Sequence, residues 1–323
     1  GVHRMNKIQI IGVGALNIDH IYKVERILDD GETIVKEAES FPGGSAANTI
    51  YGLAKLGIRT GFGGVIGDDE EGRILLRDFQ EMRVDISQIR VKHKVKTGSV
   101  LCLSDRQGRR SLYVLPGANN LLTTDDLDLT YVNRAKMLHL SSFADDRQFQ
   151  ISLELIDKLD PSVKLSFAPG ALYAVKRLKA LAPILSRTYL LFINQHEIRQ
   201  LTGEDIISGA ESCLRQGCQR VVVTLGKGSK LRKTLAASYI RDVQNEYVIK
   251  PQDIGARMDT TGAGDAFAAG FLYGLLNNRG LEECGRLGDI VAQFSIIKIG
   301  ARQGLPTLSE LARRYRELYN QEL

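Results

Sequence analysis

The stretch Ala266–Leu276, AFAAGFLYGLL, is apolar on nearly every side. A helix with no polar stripe offers no face to water and must be enclosed by other elements. The rest of the chain supplies them. Ile8–Val13, Lys164–Phe167, Leu190–Asn194 and Val221–Leu225 are short apolar runs of the kind that form buried strands. Between them lie helix-like segments. In Ser45–Leu56 apolar residues recur at helical spacing, and Gly57 stands where a helix end takes a left-handed residue. Another helical stretch, Ala210–Arg215, precedes Val221. Such alternation predicts an α/β protein, with a largely parallel sheet covered by helices on both faces.

Two segments depart from the alternation. Asp19–Pro42 and Thr97–Leu115 alternate apolar and polar residues without helical spacing. In the second, Val100, Cys102, Tyr113 and Leu115 flank the turn Asp105–Gly108, a hairpin signal. The two predict a small β element standing apart from the α/β body, of a size to form a lid. No repeat or linker divides the chain, so residues 5–323 read as one main domain. Gly1–Arg4, ahead of Met5, read as a scar left by expression.

Composition narrows the classes further. The 323 residues are 43% hydrophobic and 25% charged, in the globular range rather than the disordered one. No run approaches the roughly 18 apolar residues of a membrane span. The net charge is +5, and the basic clusters at Lys227–Lys233 and Arg313–Arg316 are too short to read as a nucleic-acid surface. Cys102, Cys213, Cys218 and Cys284 lack metal-ligand spacing, which points to free thiols in a reducing, cytoplasmic setting.

Three motifs carry chemistry. Asp259-Thr260-Thr261-Gly262-Ala263-Gly264-Asp265 runs straight into the apolar helix. A Gly-Ala-Gly turn entering a helix leaves several N–H groups pointing one way, an anion site suited to phosphate. Asp265 either stabilises the helix end or takes a proton from an attacking hydroxyl. Only the second role explains why glycines and threonines accompany it. Gly43-Gly44-Ser45-Ala46-Ala47-Asn48 is a glycine turn feeding a helix; Ser45 fits a cap there, and Asn48 is an unexpected polar group. Asn17 and Asp19 follow the first strand, where ligands gather in open α/β sheets. Two nucleotide motifs are absent. Gly12-Val13-Gly14 has Asn17 where the dinucleotide fingerprint needs its third glycine. Gly226-Lys227 is followed by Gly228, not the Ser or Thr of a P-loop.

Together these residues resemble the ribokinase (pfkB) family of carbohydrate and nucleoside kinases. Gly43-Gly44 with Asn48, and Asp259–Asp265 with its helix, look like that family's two signatures. Gly63–Asp69, Pro116–Asn119, Asn194–Glu197, Thr224–Gly226 and Gly300-Ala301 match further motifs in order, so the resemblance covers nearly the whole chain. It implies a three-layer sandwich with a β-sheet lid, and ATP-dependent phosphotransfer with Mg2+. Asp265 would be the base, and the amides of Gly262, Ala263 and Gly264 the anion hole. Asn17, Asp19, Gly44 and Asn48 would hold the hydroxyls of a sugar or nucleoside. Asn194 and Glu197 would face the phosphates and a hydrated magnesium, while Thr224 and Gly226 line the nucleotide site. Asp259 and Thr261 would bind a monovalent cation such as K+, and the lid would join two copies into a homodimer.

The sequence also departs from ribokinase. Its nucleotide loop has Gly228 displaced, and Gly304 stands where a serine would help hold potassium. Ser45 and Ser141 replace a lysine and a glutamate, which suggests an acceptor bulkier than ribose, packed under Tyr22, Phe41 and Leu101. His20, His93, His139 and His196 read as packing or surface residues, and Ser142, Asp145 and Asp146 as a polar turn. The competing class is a non-catalytic binding or regulatory protein on the same fold, against which the intact Asp265 and glycine loop argue.

Overall fold

The computed structural model describes residues 7–252 and 262–323. Among the described residues, thirteen strands form two sheets. In chain order they are β1 (Ile10–Val13), β2 (Asn17–Val24), β3 (Val35–Gly43), β4 (Thr60–Gly67), β5 (Asp85–Lys92), β6 (Gly98–Ser104), β7 (Arg110–Leu115), β8 (Met137–Ser141), β9 (Lys164–Ala168), β10 (Thr188–Asn194), β11 (Arg220–Leu231), β12 (Thr234–Arg241) and β13 (Glu246–Ile249). The larger sheet has nine strands in the order β13-β12-β11-β10-β9-β8-β1-β4-β5. Neighbours from β11 through β5 are parallel; β12 and β13 add an antiparallel edge.

Helices cover both faces of this sheet over separate apolar clusters. On one face the apolar helix is Ala263–Leu276, and its enclosure is complete. Phe192 of β10 meets Phe267 and Phe271 edge-on, with centroids 6.5 and 5.5 Å apart. A Cβ on Gly270 would lie 2.5 Å from the Leu287 carbonyl of helix Leu281–Ser295, and one on Gly52 would lie 2.9 Å from Ala269. Two helices thus reach the apolar helix closely through glycines, and it is buried from Ala266 to Leu272 while its first turn stays open.

The two alternating segments form the second sheet, ordered β3-β2-β6-β7. The expected hairpin is present: β6 and β7 are antiparallel, with Ser99 opposite Leu115 and Leu101 opposite Tyr113. Asp105 shapes its turn by accepting from the Gln107 and Arg109 amides at 3.0 and 2.9 Å. Paired residues share a face of a sheet. Asp19 is opposite Phe41 and Val100, so these three face one way, with Ile21 and Cys102. Tyr22 and Leu101 face the other way and do not lie beside Phe41 over an acceptor as the sequence suggested. Three residues separate Asp19 from Tyr22, and an odd step along a strand reverses the side.

Candidate active site

The helix Ala263–Leu276 starts at Gly262, whose φ of 77° is left-handed. Its first amides have no partner within the helix and point outward with the positive end of the dipole. Asp265 lies in this first turn. Its carboxylate accepts from the Ser45 hydroxyl at 2.7 Å and the Asn48 amide at 3.0 Å, and the Thr49 hydroxyl donates to its carbonyl at 3.0 Å. Burial pushes the Asp265 carboxyl up to about 6; the bonds from Asn48 and Ser45 oppose this, Glu197 adds to it and Arg302 counters it. A carboxylate so placed is mostly ionised at neutral pH yet holds a proton better than an exposed one.

Ser45 is not the cap of its helix. Gly44, at φ 106°, takes the cap position without a side-chain bond, which frees the Ser45 hydroxyl for Asp265. Ser141 does not open space either. It is 1% exposed and accepts from the Ala46 amide at 3.2 Å, fixing the start of that helix against β8. Asn17 opens β2 and accepts from Asn119 at 3.0 Å, while Asn119 also accepts from the Leu16 amide. The Pro116–Asn119 turn therefore fastens the small sheet where it leaves β1. Asp69 does similar work, accepting from the Thr97 amide and hydroxyl at 2.8 and 2.6 Å.

Asn194 and Glu197 cap a helix reciprocally. The Asn194 amide donates to Glu197 at 3.1 Å, and the Glu197 amide donates to the Asn194 side chain at 2.8 Å. Burial nevertheless raises the Glu197 carboxyl. Both residues line a cavity of about 450 Å³ with Thr224 and Gly226, and Ala263, Gly264 and Asp265 close its inner end. Asn17, Asp19, Gly44 and Asn48 do not line this cavity, and of them Asn48 bonds directly to Asp265. A second cavity of about 530 Å³ lies under the Asp19 face of the small sheet, lined by Ile21, Lys23, Cys102, Arg110 and Ile299. Lys227 borders both.

Asp265 thus lines the first cavity and, through Ser45 and Asn48, is bonded to the helix that follows the Gly43-Gly44 turn. Asp259 and Thr261 fall outside the described residues, as do Gly1–Arg4. Among the described residues no three His, Cys, Asp or Glu side chains cluster to hold a metal. His196 is exposed at the rim of the first cavity. His139 is buried against Ser166 at 2.7 Å, and burial lowers it to about 4. Asp145 caps the helix Asp146–Lys158, and Asp146 pairs with Lys176 at 2.6 Å, so this turn is ordinary helix-end chemistry. Tyr315, between two arginines, is fully buried and presents no stacking surface.

Arg302 escaped the sequence reading. It is 3% exposed and donates to Asn48 Oδ1 at 2.9 Å, Asp78 Oδ2 at 2.7 Å and the Gly43 carbonyl at 3.2 Å. Its one sequence signal is its place two residues after Gly300.

The pfkB family of carbohydrate kinases matches residues 7–308. The chain belongs to this family. An uncharacterized sugar kinase of Archaeoglobus fulgidus is 37% identical over 79% of this chain and 98% of its own length. A nucleoside kinase of Methanocaldococcus jannaschii is 27% identical over 96% and 97%. Among solved structures, Arabidopsis thaliana ribokinase complexed with ribose and ATP superposes with a TM-score of 0.80 at 24% identity, covering 95% of this chain and 98% of that one; this likeness shows the fold. The nine-stranded sandwich with its separate four-stranded sheet is thus the ribokinase fold. A pfkB-family chain of this kind is a sugar or nucleoside kinase. No helix among the described residues is long and apolar enough to cross a membrane.

Proposed function

We propose that this protein transfers the γ-phosphoryl group of ATP to a hydroxyl of a sugar or nucleoside, with Asp265 as the base. The observation that carries this reading is the position of Asp265 between the first cavity and the Gly43–Asn48 segment, at the start of a helix, with its carboxyl raised to about 6. ATP occupies the cavity bounded by Asn194, Thr224 and Gly226, and the acceptor lies on the side of Asn17, Asp19, Gly44 and Asn48. As the acceptor oxygen attacks the γ-phosphorus, its proton passes to Asp265 and the bond to the ADP oxygen breaks. The amides at Gly262, Ala263 and Gly264 meet the charge on the transferring oxygens.

A magnesium ion fits the donor side. Glu197 is a hard carboxylate on the cavity wall, disfavoured as a lone anion by burial. It would hold the ion through water with Asn194, and the ion would supply positive charge at the phosphates. A monovalent cation at Asp259 and Thr261 is part of the same proposal. The small sheet serves as the lid, and its edge strand β7 exposes Leu112, Tyr113, Val114 and Leu115, apolar surface suited to a second copy. All four cysteines are buried, which supports a cytoplasmic setting.

The test is ADP release measured across ribose, fructose, adenosine, cytidine and inosine, with ATP and Mg2+. Turnover with at least one acceptor, lost in Asp265→Asn, supports the reading. ADP release that no acceptor stimulates would sink it in favour of a non-catalytic binding protein.

A further inference from the structure

Three consecutive residues near the chain's end each touch a different part of the site. A Cβ on Gly300 would lie 2.9 Å from the Phe41 ring of the small sheet. A Cβ on Gly262, at the anion hole, would lie 2.5 Å from the Ala301 Cβ. Arg302 reaches Asn48 and the Gly43 carbonyl on the acceptor side. Only Arg302 among them carries a charge, and it is held on every side. Asp78 of helix Glu70–Glu81 anchors one end of its guanidinium, and the rings of Tyr51 and Phe79 lie 5.2 and 5.1 Å from its centre.

The Asn48 amide has two ways round. A guanidinium only donates, so it must face the amide oxygen. That leaves the Asn48 Nδ2 directed at Asp265, as observed at 3.0 Å. If the amide were reversed, its oxygen would oppose the carboxylate. The same guanidinium pins the carbonyl of Gly43, next to the left-handed Gly44 on which the acceptor turn depends. Charge-assisted, planar and buried, this contact fixes orientation in a way a lysine does not.

We infer that Arg302 is a positioning residue for phosphotransfer: through Asn48 and Gly43 it sets the acceptor pocket and the carboxylate of Asp265, without touching substrate. The inference rests on the reading of Asp265 as base. Arg302→Met is expected to lower kcat/KM for the acceptor roughly ten- to a hundred-fold, the worth of a charge-assisted hydrogen bond, with KM for ATP changed less than about twofold. Because Arg302 acts in part through Asn48, the double variant with Asn48→Ala should be impaired by clearly less than the two single variants combined. A residue that merely supports the fold would add its penalty in full.

Arg302→Lys, which keeps the charge and loses the fork, covers the case in which Arg302→Met does not fold. It should show the same preference for acceptor over ATP, at several-fold. Melting temperatures recorded on each variant separate lost stability from lost orientation. Equal damage to both KM values, additivity with Asn48→Ala, or an Arg302→Lys enzyme with wild-type acceptor kinetics would each overturn the inference. Asp265→Asn is run alongside. Should it retain turnover, the base reading falls, while Arg302 is still judged by the split between the two KM values.

Discussion

The two sides of Asp265 are held in different ways. On the side proposed for the donor, Asn194 and Glu197 fasten each other across three residues at one helix start. On the side proposed for the acceptor the partners are remote in sequence. Ser45 and Asn48 reach Asp265, and Arg302 reaches Asn48 and Gly43, across separations of 217 to 259 residues. A local cap forms with its helix. A long-range network forms only when the whole fold closes, so its geometry reports on the fold's integrity and responds to change anywhere along it. Donor binding should therefore tolerate substitution better than acceptor binding and chemistry do.

The largest test of this contrast is Asp265→Asn. Asparagine can still accept from Asn48 and donate to Ser45, so the network keeps its shape while the base is removed. We expect kcat to fall roughly 10²–10⁴-fold, the usual contribution of acid–base catalysis, with the affinity for ATP nearly unchanged. Steady-state kinetics and ATP titration check both halves.

Asp19→Ala comes next. The Asp19 carboxylate lies beside Gly43, and losing a charged hydrogen bond to a ligand costs about 1.5–3 kcal/mol. The acceptor KM should rise roughly ten- to a hundred-fold while that for ATP stays put. A rise confined to ATP would reverse the assignment of the two compartments.

A smaller effect is expected on the donor side. Asn194→Ala removes a helix cap worth about 1 kcal/mol. Thermal unfolding should register that loss, and the ATP KM should rise by a modest factor, with the acceptor KM unmoved. An acceptor KM that climbed with it would show the two sides to be one network.

The same contrast explains which parts of the site were legible in sequence. The Gly-Ala-Gly-Asp turn and the Asn194–Glu197 pair are local patterns whose geometry follows from helix ends, and both stand in the site. The apolar helix announced its own burial. Arg302 stands alone in a loop, and nothing near it in sequence reveals Asn48 as its partner. Ser45 and Ser141 were read as open space because they are short. Both are engaged, one by Asp265 and one by the Ala46 amide, through contacts 220 and 95 residues apart. The face of Phe41 depended on a cross-strand register that only the folded sheet shows. Tyr22 needed only the alternation counted from Asp19, so there the signal was present and unused.

The last expected effect concerns stability and pH, and it separates the chemistry of Asp265 from its cost to the fold. The carboxyl of Asp265 is raised by burial from 3.8 to about 6 in the folded protein. The folded state thus binds this proton more tightly than the unfolded chain. The stability tied to it is fully present below about pH 3.8 and is lost as pH rises toward about 6. Activity runs the other way, because the base must be ionised, so the acid limb of kcat/KM should rise through about pH 6. Asparagine cannot ionise. Asp265→Asn should therefore melt higher than the wild type at pH 8, with the advantage shrinking as the pH is lowered through 6 toward 4. Paired melting curves across that window check the sign. A variant equally stable with the wild type at every pH would mean that water or neighbouring dipoles solvate the carboxylate. An acid limb of activity near pH 6 would then have to come from the bound phosphates and not from the fold.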